Sequence, residues 1–98
     1  MVSIKTFQDL LVWQKAHLLV VDIYKITEKY PKHELFGLTS QIRRSAVSIA
    51  ANIVEGFRRH SLKDSINFYN MSDASLEELK YHLLLSKDLH YITEKEFY

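Results

Sequence analysis

Glu78 and His82 stand four residues apart, the spacing that puts two potential metal ligands on one face of a helix. A metal site needs more than one such pair. No Glu-x-x-His motif of the di-iron bundles occurs in the chain, and one would be needed on each of two helices. No His-x3-His pair occurs among His17, His33, His60, His82 and His90, and there is no cysteine. Disulfides, thiolate chemistry and sulfur-ligated zinc are excluded, and no metal or other cofactor is expected. Serines are plentiful, yet none sits in Gly-x-Ser-x-Gly, and only two glycines exist to shape an oxyanion loop. Neither a phosphate loop nor a dinucleotide fingerprint is present. No catalytic residue can be named, so the chain reads as a non-enzyme.

The basic residues offer more. Arg43 and Arg44 lie near the start of a helix read over 36–59, and Arg58, Arg59, His60 and Lys63 surround the turn that follows. Arginine and lysine there would neutralise phosphates without reading bases. Arg43, Arg44, Arg58, Arg59 and Lys63 are therefore the candidate nucleic-acid contacts. A preceding helix adds Lys15, Lys25 and Lys29, with Lys32 after its end. The plainer alternative is a solvated surface balanced by Asp22, Glu28, Glu77 and Glu78. One copy carries few cations, but a ring of copies would multiply each patch.

A polar lane runs along the same helix: Gln41, Ser45, Ser48, Asn52, Glu55 and Arg59, spaced 4, 3, 4, 3 and 4. On either side of it the helix is apolar. Ile42, Ala46, Ile49 and Ile53 form one row, and Val47, Ala50, Val54 and Phe57 the next. A helix apolar on most sides is surrounded by partners. With a turn near residues 60 and 61, antiparallel pairing sets Ser48 opposite Asp73 and Asn52 opposite Tyr69. Ser45 and Ser48 then approach the small residues of 72–75. Buried polar groups need partners, since an unmet one costs roughly 1–3 kcal/mol. Gln41, Ser45, Ser48, Asn52, Glu55, Ser72 and Ser75 are therefore expected to form a structural seam that fixes helix register. Glu55 is better read as the ion-pair partner of Arg58 or Arg59 than as a general acid.

The elements that must position these residues are helical. Two glycines and one proline in 98 residues suit helices and starve a β-fold of turns. A hydrophobic fraction of 47% with 26% charged residues fits one folded domain over 1–98. A net charge of +1 does not announce nucleic-acid binding, so any such site is a local patch. No apolar run approaches the ~20 residues of a membrane span. The first residues lack a signal-peptide core, and a cytoplasmic location is the default.

Helices are expected over 9–29, 36–59 and 62–90, with the start of a fourth at 94. Thr6 and Asp9, Ser61 and Asp64, and Thr93 and Glu96 each have capping-box spacing. Pro31 closes the first helix. Trp13, Tyr24, Tyr30, Phe36, Phe57, Phe68, Tyr69 and Tyr81 fall on or beside apolar rows, which favours core and interface roles over base stacking. Phe97 and Tyr98 would lie over the end of the bundle.

At three places the chain resembles a known family. FQDLLVWQKA is similar to the opening signature of the bacterial four-helix bundle proteins encoded by intervening sequences in 23S ribosomal RNA genes. LFGLTSQIRRSAVSIAANIVEGFRRHS resembles the family's central signature at Gly37-Leu38, Gln41-Ile42-Arg43-Arg44, Ser48-Ile49, Asn52-Ile53 and Glu55-Gly56. SDASLEEL resembles its third-helix motif through Ser75-Leu76 and Glu78-Leu79. Ala50 and Ala74 depart from the family's frequent proline and glycine. The resemblance implies an antiparallel up-and-down four-helix bundle assembling as a homopentamer. It also implies kinship with basic barrel-shaped accessory proteins of diversity-generating retroelements, which contact a reverse transcriptase and nucleic acid. Family members continue through a full fourth helix, which is largely absent from this chain.

The expectation is thus an all-α, homo-oligomeric bundle that binds RNA or DNA, RNA foremost, or a nucleoprotein partner. A protein-interaction scaffold without nucleic-acid binding is the alternative. No membrane association is expected.

Overall fold

The computed structural model describes residues 3–97, and among them there is no strand. Three long helices carry the fold: α1 (Leu11–Thr27), α2 (Leu38–Arg58) and α3 (Leu62–Asp88). A single turn, α4 (Glu94–Phe97), follows. Short 3-10 turns at Phe7–Asp9 and Lys32–Glu34 precede α1 and α2. Tyr98 lies outside the described residues.

The helix ends differ slightly from the sequence expectation, each for a local reason. Asp9 does cap the N-terminal chain, its carboxylate accepting the Lys5 and Thr6 N–H groups at 2.9 and 3.0 Å. That cap serves the 3-10 turn, because Leu10 then adopts an extended conformation and α1 begins after it. At the far end of α3, His90 has a φ of 64°. Its N–H donates to the Lys87 carbonyl at 3.0 Å, and the Tyr91 N–H to the Ser86 carbonyl at 2.9 Å. This is a Schellman closure with histidine at the left-handed position that usually takes glycine.

α2 is the central element, with α1 and α3 packed on either side of it. Its row Ile42, Ala46, Ile49 and Ile53 is buried, joined by Ala16 and Ile23 from α1, Leu79 from α3, and Tyr30 and Ile92 from the connections. The second row of α2 is less covered: Val47 is exposed, and Ala50, Val54 and Phe57 are half-buried. α1 and α3 leave a groove between them of about 480 Å³. Val12, Ala16 and Leu19 form one wall, Leu76 and Tyr69 the other, and Ile49 and Ile53 the floor.

The far end is closed by loops and α4. The Glu34 carboxylate accepts the Leu38 N–H at 3.2 Å and the Tyr91 hydroxyl at 2.9 Å. These two donors hold Glu34 below its usual pKa, the backbone N–H most strongly. Thr93 and Glu96 form a complete capping box. Glu96 also pairs with Lys29, which together with the Thr93 N–H lowers its pKa.

Candidate nucleic-acid interface

The five candidate phosphate contacts fall into two groups at opposite ends of α2. Arg44 and Arg58 are separated by about 21 Å at 1.5 Å rise per residue. Arg43 is half-buried: its Nε donates to Thr27 Oγ1 at 2.9 Å and its guanidinium lies 4.8 Å from the Tyr24 ring centroid. The Thr27 hydroxyl itself donates to the Ile23 carbonyl at 2.7 Å, so Arg43 completes a chain of hydrogen bonds linking α1 to α2. Arg44 donates to Gln41 Oε1 at 3.1 Å and pairs with Glu78 on α3. Arg43 therefore has a packing role, while Arg44 is exposed and bridges two helices.

The second group sits at the turn between α2 and α3. Arg58, Arg59, His60 and Lys63 are all exposed there. Arg59 pairs with Glu55 at 2.6 Å and lies 4.4 Å from the Phe68 ring centroid. Arg58 and Lys63 make no ion pair among the described residues. Exposed ion pairs contribute roughly 0–1 kcal/mol, so a phosphate can recruit Arg59 away from Glu55 at small cost. The same holds for Arg44. Lys5, which sequence spacing could not associate with this turn, joins Arg58 in lining a cleft with Thr6, Phe7, Gln8, Val54 and Phe57.

The polar lane divides into three parts. Its middle crosses to α3: the Ser48 and Ser75 hydroxyls are 2.8 Å apart, and Ser72 Oγ donates to the Ile49 carbonyl at 2.8 Å. Further down, Ser65 Oγ donates to the Gly56 carbonyl at 2.8 Å. The Tyr69 ring lies against Gly56, where any Cβ would collide with it. Asn52 does not reach α3. Its amide donates to Ser48 Oγ at 3.0 Å and to the Ser48 carbonyl at 2.8 Å, supporting the seam from behind. Ser45 is fully buried, yet its hydroxyl donates back to the Ile42 carbonyl at 3.0 Å instead of approaching the 72–75 patch. Gln41 and Glu55, at the two ends of the lane, are exposed and engaged by Arg44 and Arg59.

Glu78 Oε1 and His82 Nε2 are 4.0 Å apart, but Glu78 is taken by Arg44. No cluster of three or more His, Asp or Glu side chains able to hold a metal occurs among the described residues. No helix there is long and apolar enough to cross a membrane.

The sequence profile of the 23S rRNA-intervening sequence protein family matches residues 8–98. No curated protein matches the chain.

Proposed function

The chain belongs to the 23S rRNA-intervening sequence protein family, and from that membership we propose a non-enzymatic, self-associating helical bundle that binds nucleic acid, RNA foremost, or a nucleoprotein partner. The observation that carries this reading is the basic end of the bundle. Arg58, Arg59, His60 and Lys63 crowd one turn, all exposed, and two of the three permanent cations lack an acidic partner among the described residues. Such a surface contacts backbone phosphates, which gives affinity and orientation without sequence specificity.

Self-association is supported by uncovered apolar surface. Leu11, Val12 and Leu18 on α1 are more than half exposed, and the groove between α1 and α3 has an apolar floor. Surfaces of this kind favour burial against another helical face. Repetition of the basic turn in an oligomer then multiplies weak phosphate contacts.

The test replaces Arg58, Arg59 and Lys63 together with glutamine. Binding to a structured RNA should weaken while the mass measured by light scattering stays that of the wild-type oligomer. Equal affinity of wild type and triple variant would defeat the assignment. A monomeric mass for the wild type at micromolar concentration would defeat the self-association.

A second reading, a protein-interaction scaffold, draws on Phe36. This residue is 93% exposed, next to Leu35 and beside the Arg43–Arg44 end of α2. Recovery of a protein partner that survives nuclease treatment and depends on Phe36 would favour it.

A further inference from the structure

We infer that the cleft between the N-terminal 3-10 turn and the end of α2 holds one nucleotide of an unpaired strand. This rests on the nucleic-acid reading above and narrows it. The cleft measures about 440 Å³, within the roughly 300–1,000 Å³ of small-ligand sites. Its composition differs from that of the open basic turn beside it. Lys5 and Arg58 supply two permanent cations, and neither makes an ion pair among the described residues. Phe7, Val54 and Phe57 supply an apolar lining that is half-buried.

Cations beside aromatic faces match a phosphate with its base. A paired base hides its faces inside the duplex stack, whereas an unpaired base can lie on an aromatic side chain. A duplex backbone would use the cations and leave the apolar lining idle. The lining is also preorganised. Phe7 meets Trp13 edge-on at 4.9 Å, and Trp13 stacks on His17 at 5.0 Å, so the Phe7 ring is fixed before any ligand arrives. Two charges bear on an anion here besides the cations. Asp9 lies close to Lys5, and the Lys5 and Thr6 backbone N–H groups keep its carboxylate ionised, so it opposes an anion and the two cations must outweigh it. The carbonyl end of α2 also disfavours an anion there.

The experiment compares fluorescence-anisotropy titrations of a labelled oligouridine and of a blunt-ended RNA duplex of matched length, at one low salt concentration. Wild type, Lys5→Gln and Phe57→Leu are titrated with each. Lys5 is exposed, so its substitution leaves the fold intact, and Phe57→Leu keeps the packing but removes the aromatic face. The expected result is a preference for oligouridine of about tenfold, weakened about fivefold or more by each substitution, with duplex affinity changed by less than about twofold. Duplex binding without an oligouridine preference, or equal losses on both probes, overturns the cleft and leaves the basic turn standing. No wild-type binding to either probe overturns both.

Discussion

Removal of the Ser48 and Ser75 hydroxyls, singly and together, probes a direct side-chain contact between α2 and α3. The two oxygens are 2.8 Å apart. Ser75 is nine-tenths buried, and Asn52 supplies Ser48 Oγ with a donor, leaving the Ser48 proton available to Ser75. A neutral hydrogen bond contributes about 0.5–1.5 kcal/mol net, and a buried hydroxyl left without its partner costs about 1–3 kcal/mol. Alanine recovers up to ~0.7 kcal/mol of helix propensity at each position. Each single alanine variant should therefore lose about 1–2 kcal/mol. The double variant strands no hydroxyl, so it should lose less than the sum, with a coupling of about 1 kcal/mol. Urea denaturation at fixed protein concentration measures all four species. Thermal midpoints should follow at roughly 4–8 °C per kcal/mol. Ser45→Ala is the control: its hydroxyl bonds only within α2, and its loss should change stability by under ~0.5 kcal/mol. Losses that add to within ~0.3 kcal/mol would refute the idea that the two hydroxyls act on each other.

Three further outcomes follow from the packing and the end contacts. Ile42→Ala, at a fully buried position of the central helix, should cost about 2–5 kcal/mol in urea unfolding, and a cost below ~1 kcal/mol would place Ile42 outside the core. His90→Gly should raise stability by about 0.5 kcal/mol, because relief of roughly 1–2 kcal/mol of left-handed strain is partly offset by ~0.4–1 kcal/mol of added unfolded-state freedom; a lowered thermal midpoint would contradict that balance. Glu34 and Glu96 sit below their ordinary value of 4.5 when folded, so the unfolded chain binds more protons just below that pH. Their stabilisation is present at neutral pH and is lost as pH falls through and below 4.5, and the acid-side decline in thermal midpoint should be shallower in a Glu34→Gln, Glu96→Gln variant.

The helices were legible because their signals are local. The row of Ile42, Ala46, Ile49 and Ile53 follows from helical spacing alone, and these four side chains form the buried face of α2. The crossing of Ser48, Ser72 and Ser75 was legible too, since so short a turn leaves few registers for antiparallel helices. What stayed hidden depended on conformation or on distant chain segments. The end of α3 lies within two residues of the expected 90, but the left-handed histidine that makes the stop was not marked by residue type. Ser45 shares the spacing of the seam, but its hydroxyl turns back to its own helix, a choice set by the local environment of each side chain. The five basic candidates read as one kind of patch. Tertiary structure separates them, tying Arg43 into a helix contact and bringing Lys5 to Arg58 from a distant part of the sequence. Val47, Val54 and Phe57 read as partner-covered, and in a single copy they are exposed or half-buried.

Nucleic-acid binding through the basic turn is tested most directly by anisotropy titrations of a structured RNA and a matched DNA duplex across a salt series, with wild type and the Arg58, Arg59, Lys63 triple glutamine variant. Wild-type affinity should be submicromolar at low salt and fall steeply with salt. The triple variant should bind more weakly, with a slope shallower by about two to three for each copy engaged, near one for every phosphate that is no longer neutralised. Binding to neither probe at low salt, or identical slopes for the two proteins, would contradict the account.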